Sequence, residues 1–127
     1  MKVVLDASTL ILYFYGNNKA KEIIEKNVSE AFINSVNLTE FLYSYAKVKG
    51  WKESLFKYTL IRDTFKLIDV NSEDIIKSVA KLKIKYNLSL GDAFLLASAK
   101  STNSTAVTSD HELSKVNEVK VLLIPKE

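Results

Sequence analysis

Four carboxylates, Asp6, Glu40, Asp92 and Asp110, are the side chains of this 127-residue sequence whose placement suggests chemistry. Each sits where an apolar run meets a turn or a helix start. Asp6 closes Val3-Val4-Leu5, and Glu40 lies three residues past Asn37 at the mouth of a helical stretch. Asp92 opens the apolar segment Ala93–Ala99, and Asp110 follows Ala106-Val107-Thr108-Ser109. In a parallel sheet such positions converge on one edge. Two carboxylates about 4 Å apart repel by about 4 kcal/mol at an effective dielectric of about 20, so collecting four of them calls for compensating cations. An all-oxygen donor set selects hard ions such as Mg²⁺ or Mn²⁺. The chemistry expected is that of a divalent metal acting on phosphates.

Each acid also has a purely structural use. Asn37-Leu38-Thr39-Glu40 and Ser89-Leu90-Gly91-Asp92 both have capping-box spacing, which places Glu40 and Asp92 at the third helical position. Asp6 suits the cap of the helix after it, and Asp110 the cap of a turn beginning at His111. Yet Asp6 ends a buried strand, where Ser or Asn would cap without bringing a charge. Asp92 precedes the most apolar helix of the chain and is drawn toward the interior. Unpaired buried carboxylates are costly, and ions in a shared site relieve that cost. The functional reading is therefore preferred. Asp69 is a remote further candidate, Glu112 a candidate for the rim, and the other acids lie among lysines on solvent faces.

Apolar runs alternate with helical patterns from end to end. Strands are expected at Lys2–Leu5, Ala31–Ile33, Leu67–Val70, Ala106-Val107 and Val119–Ile124. Helices are expected over about 8–15, around Ala20–Val28, from Leu38 to near Gly50, over 51–64 with Leu55, Phe56, Thr59 and Leu60 as its stripe, from Asn71 or Ser72 through Tyr86, and over Ala93–Ala99. This alternation predicts an α/β fold with a parallel sheet covered on both faces. The length suits one domain, residues 1–127. No apolar run approaches the roughly 20 residues of a spanning helix, and the chain enters a strand at Lys2 with no signal peptide. Without Cys there are no disulfides, thiolate zinc sites or thiol nucleophile, which fits a cytoplasmic location. A single His leaves no His-rich metal site. A net charge of +3 is modest, so affinity for nucleic acid would need a local patch.

Taken in order, Asp6-Ala7-Ser8-Thr9-Leu10-Ile11, Glu40, Leu90-Gly91-Asp92-Ala93-Phe94-Leu95-Leu96-Ala97-Ser98-Ala99 and Thr108-Ser109-Asp110 resemble the motifs of PIN-domain ribonucleases. The short build is similar to the VapC-type toxins of toxin–antitoxin pairs. The resemblance implies a five-stranded parallel sheet in a three-layer α/β/α sandwich. It implies that Asp6, Glu40, Asp92 and Asp110 hold one or two Mg²⁺ or Mn²⁺ ions, with Ser8 and Thr108 as polar neighbours. It further implies RNA endonuclease activity, a homodimer, and a small antitoxin able to push a basic side chain among the acids. Two departures stand out: Asn34 and Asn37 replace small hydroxyl residues, and Leu113 replaces an aromatic.

Substrate contact is less legible. Tyr43, Tyr45, Lys47, Lys49, Trp51, Lys52, Lys57 and Tyr58 interleave bases and aromatics, a mixture suited to phosphate contact and base stacking, with Lys47, Lys49 and Lys52 as the candidate RNA patch. The competing reading is a solvated lysine face over a core containing Trp51 and Tyr45. Leu10–Tyr15 reads as core, with a dimer or antitoxin contact as its second use. His111 reads as an exposed turn residue. A haloacid-dehalogenase-like phosphatase is disfavoured because Ser8 stands where a second Asp is needed. A receiver domain is disfavoured because Asp6 lacks an acidic partner, and no glycine-rich phosphate loop is present. The alternative class is a non-catalytic adaptor of the same fold that binds RNA or a protein.

Overall fold

The central strands are short, largely apolar and buried on both faces, which is what a sheet covered on both sides demands. The structure, a computed structural model, describes residues 1–126. Strands β1 (Val3–Leu5), β2 (Ala31–Asn34), β3 (Lys66–Ile68), β4 (Thr105–Thr108) and β5 (Val121–Leu123) form one sheet in the order β3-β2-β1-β4-β5. All four pairings are parallel. The expected sheet is thus present, with two shifts at its edges. β3 lies at Lys66–Ile68, because Asp69 already turns the chain by accepting from the Asn71 backbone N–H at 3.0 Å. β5 is confined to three residues rather than running from Val119.

Among the described residues six helices cover the sheet: α1 (Ala7–Phe14), α2 (Asn18–Asn27), α3 (Ser35–Lys49), α4 (Trp51–Thr64), α5 (Glu73–Lys85) and α6 (Leu90–Thr102). Short 3₁₀ turns occupy Val28–Glu30 and His111–Lys115. The two-residue period of the strands sorts the core into two layers. Val3, Leu5, Ile33 and Val107 face Leu10, Ile24, Phe41 and Ile61 from α1 to α4. Val4 and Ala106 face Val79, Leu82, Leu95 and Leu96 from α5 and α6. The result is a three-layer α/β/α sandwich. Among the described residues no helix is long and apolar enough to cross a membrane.

Helix α4 corrects one sequence expectation. The stripe Leu55, Phe56, Thr59 and Leu60 faces outward, and the buried positions are Ser54 and Ile61. The reason is the tight reversal at Gly50, whose φ of 91° suits only glycine and lays α4 back along α3. Ser54 is then pressed against α3, where its hydroxyl donates to the Leu42 carbonyl at 2.6 Å. Trp51, expected in the core, is 59% exposed, whereas Tyr45 is buried and stacks on Phe41 with ring centroids 5.1 Å apart.

At the sheet edge remote from the acids, Glu118 ties three elements together. Its carboxylate accepts from Lys85 at 2.8 Å, Lys100 at 3.1 Å and Tyr86 at 3.1 Å. Hydrogen bonds first from Lys85 and then from Lys100 pull its pKa down to about 2. A carboxyl lowered in the folded state contributes stability that is complete above its unfolded pKa and lost as pH falls through the folded value. Glu118→Gln should therefore lower the melting temperature slightly at neutral pH, the gap to wild type closing between about pH 4.5 and about pH 2. Added salt should narrow it further, as for any solvent-reached ion pair. Thermal melts across pH and salt would check this; a gap that persists at pH 2 would contradict it.

Candidate active site

The strand order contains one reversal. From β1 the chain steps outward through β2 to β3, then returns to the other side of β1 for β4 and β5. The carboxyl ends of β1 and β4 flank this switch point, where open α/β sheets form a crevice. Asp6 leaves β1 there and caps α1. Its Oδ1 accepts from the Thr9 N–H at 2.8 Å and from the Ser8 hydroxyl at 2.8 Å, and its Oδ2 accepts from the Thr108 hydroxyl at 2.5 Å. Both hydroxyls bridge to the β4 exit. Ser8 Oγ accepts from the Ser109 N–H at 3.2 Å, and Thr108 Oγ1 accepts from the Asp110 N–H at 3.0 Å. Asp6 is only 6% exposed. Burial raises its pKa, and the donors from Thr108, Thr9 and Ser8 work against that rise.

Asp92 is the third residue of α6, with its N–H capped by Ser89 Oγ at 3.1 Å. Asp110 caps the 3₁₀ turn and accepts from the Glu112 N–H at 3.0 Å. Asp6 and Asp110 are thus caps and Asp92 sits in the first turn of a Ser89-capped helix, the structural uses that their spacing allows. The structural and chemical uses coincide, since helix N-termini carry partial positive charge that favours carboxylates. Asp92 is pushed up to about 7, first by burial, then by its hydrogen bond with Asp110 and by the charges of Asp110 and Asp6. Asp110 is correspondingly held low by the hydrogen bond from Asp92.

Glu40 arrives differently from the capping box expected for it. The cap of α3 is Asn34, which accepts from the Asn37 N–H at 2.7 Å, so Glu40 lies a turn deeper than the third helical position. Asn37 falls inside the helix and is buried. Its Nδ2 donates to Glu40 Oε1 at 2.9 Å and to the Gly91 carbonyl at 3.2 Å. Asn34 Nδ2 in turn donates to Asn37 Oδ1 at 2.8 Å, Ser98 Oγ at 2.9 Å and the Phe94 carbonyl at 3.2 Å. The two asparagines that depart from the resemblance therefore link α3 to α6. Gly91 completes the contact: a Cβ there would overlap the Glu40 carboxylate.

All four acids line one cavity of about 600 Å³, together with Ser8, Asn37, Tyr43, Ser44, Ser109, His111, Glu112 and Lys126. Thr108 stands behind it through its bond to Asp6. Asp69 is not in its wall. Lys47, Lys49 and Lys52 are not in the wall either: Lys47 Nζ sits 5.5 Å from the Tyr43 ring centre and Lys49 Nζ 5.4 Å from that of Tyr15. The sequence offered no pointer to Ser44 or Lys126, whose side chains reach the cavity only through folding. Among the described residues, no three acidic or histidine side chains are already drawn together as a ready ligand shell. The donor set nonetheless fits a hard divalent cation, because it is all oxygen and Asp92 is lifted first by burial and then by its acidic neighbours.

Gly91→Ala separates packing from backbone preference. Alanine gains up to about 1 kcal/mol over glycine in a helix, less in the first turn where Gly91 sits, while the obstacle is only the end of a flexible side chain. The variant should melt at or above the wild-type temperature. Its crystal structure should show Glu40 rotated away and the Asn37–Glu40 bond broken. An undisplaced Glu40 would refute the close approach.

Comparison with known proteins agrees with this fold. The family described as PIN domain matches residues 3–119. A curated relative, Ribonuclease VapC6 of Methanocaldococcus jannaschii, is 22% identical over 94% of this chain and 95% of its own. A toxin–antitoxin complex from Klebsiella pneumoniae contains a chain with TM-score 0.75 and 24% identity, covering 93% of this chain and 95% of that one. DNA-bound VapBC from Salmonella typhimurium gives TM-score 0.82 at 17% identity, covering 96% and 97%. VapC20 of Mycobacterium tuberculosis, titled a Sarcin-Ricin loop cleaving toxin, gives 0.70 at 14% identity over 83% and 87%. These structures share the three-layer parallel architecture, and the chain belongs to the PIN domain family.

Proposed function

We propose that the chain is a divalent-metal-dependent endoribonuclease, the toxin of a toxin–antitoxin pair. The observation that carries this reading is the convergence of Asp6, Glu40, Asp92 and Asp110 on one cavity at the β1/β4 switch point. The ribonuclease named among the relatives supports RNA as the substrate. Asp6, Asp92, Glu40 and Asp110 would hold one or two Mg²⁺ or Mn²⁺ ions. When bound, such an ion supplies charge neutralisation at the phosphate and an acidified water. Ser8 and Thr108 fix the Asp6 carboxylate by donating to its two oxygens. Asn37 holds one oxygen of Glu40. Lys126, the one lysine in the cavity wall among the described residues, offers a countercharge to the departing strand. No side chain serves as nucleophile.

The partners proposed are RNA, a small antitoxin and a second copy of the chain, acting in the cytoplasm. Complexes named as toxin–antitoxin assemblies among the structural relatives support the antitoxin. Trp51, Leu55, Phe56 and Leu60 leave an apolar surface on α4 of the kind that a protein partner covers. The rival adaptor reading keeps the fold and the acids without turnover.

Asp6→Asn tests the assignment. Because burial raises the folded pKa of Asp6, stability is lost as pH rises from the ordinary carboxyl value through the raised one, so the neutral isostere should melt at or above wild type at neutral pH in chelator. Mn²⁺ at about a hundred times its dissociation constant should stabilise wild type by about 2.7 kcal/mol and leave the variant unmoved. Cleavage of single-stranded RNA in Mn²⁺, abolished by chelator, should fall at least about a hundredfold in the variant, a loss of about 2.7 kcal/mol in transition-state binding. Retained turnover would reject Asp6 as a ligand. Mn²⁺ stabilisation without cleavage by wild type would favour the adaptor.

A further inference from the structure

The chain has six tyrosines, and five have visible structural work. Tyr13, Tyr15 and Tyr45 belong to the aromatic cluster with Phe14 and Phe41. Tyr58 accepts from Arg62, and Tyr86 donates to Glu118. Tyr43 differs. Among the described residues its hydroxyl makes no hydrogen bond and its ring meets no other aromatic. It is 49% exposed, and it lies in the wall of the acidic cavity. A cation lies against the ring, Lys47 Nζ, 5.5 Å from its centre.

Helical geometry sets where this ring stands. Tyr43 follows Glu40 by three residues on α3, so the two are neighbours on one helix face, about 5–6 Å apart at Cβ. Successive phosphates along a nucleic-acid strand carry bases between them, so a phosphate held at the carboxylates brings a flanking base to the cavity wall. An aromatic ring presents a π-face that any base can stack on, and the attached lysine adds attraction for the backbone. Base stacking of this kind requires an unpaired nucleotide, because a base inside a duplex has both faces covered.

We infer that Tyr43, with Lys47 against its ring, is a stacking platform for an unpaired nucleobase next to the phosphate held at the acidic cavity. The inference rests on the nuclease reading for the phosphate's position, and it narrows the ligand class to single-stranded nucleic acid read without base identity at this subsite. Selection between sequences then falls to other contacts. The lysines Lys49 and Lys52 take no part, since neither borders the cavity and Lys49 lies against Tyr15.

The test compares two probes of equal length and charge, a 2′-O-methyl oligouridylate and an abasic ribose-phosphate strand, titrated into the full chain with Mn²⁺ present. Wild type should prefer the base-bearing strand by about tenfold, the scale of one stacked base. Tyr43→Ala should lose that preference while binding the abasic strand as before. Tyr43→Phe and Tyr43→Trp should keep it, because the ring and not the hydroxyl is required. Equal preference in wild type and Tyr43→Ala, or no binding of either probe by wild type, overturns the platform. A cleavable oligouridylate run in parallel separates the two readings. Mn²⁺-dependent cleavage indifferent to Tyr43→Ala removes the platform and leaves the nuclease. A Tyr43-dependent base preference without cleavage removes the nuclease and leaves the platform.

Discussion

Repulsion among carboxylates is the constraint around which this molecule is arranged. Four acids line one cavity, and Asp92 among them is lifted to about 7, first by burial and then by Asp110 and Asp6. The fold holds them there with neutral groups. Helix N-termini receive Asp6, Asp92 and Asp110. Hydroxyls of Ser8 and Thr108 secure Asp6, and an amide secures Glu40. None of these donors cancels the charge outright.

The two halves of the sheet depend on each other at this point. Thr108 and Ser8 each bond to Asp6 while receiving a backbone N–H from the β4 exit, so β1 and β4 are cross-linked beyond their last ladder pair. Asn34 and Asn37 do the same for α3 and α6, which belong to opposite layers. A buried polar network fully supplied with donors fixes one arrangement, since any slip would strand an amide away from water. Among the described residues no buried side-chain polar atom lacks a partner.

Much of this was legible in the sequence, and the failures are instructive. Asp6 and Asp92 announce themselves because each directly follows or precedes an apolar run that must be a buried strand or helix, and Asp110 because it comes just after one. Glu40 was found for a partly mistaken reason: the cap was assigned to Asn37, whereas Asn34 starts the helix and Asn37 is buried within it. Two asparagines three residues apart have identical local chemistry, and only packing against α6 decides between them. The outward face of α4 was misread because its apolar residues outnumber its buried ones. Local periodicity cannot reveal that Ser54 is the residue pressed against α3. Ser44 and Lys126 carry no local signal at all, for their place in the cavity wall is a product of long-range folding.

The glycine at position 91 owes its identity to a neighbour rather than to its own backbone. Its torsion angles lie outside the left-handed region, so alanine would suit the helix better there, and only the carboxylate of Glu40 stands in the way. Positions 40 and 91 are thereby coupled by contact. A side chain at the second position of that helix would turn the acid across the crevice aside, so the smallest residue of the chain sets where one of its carboxylates can point.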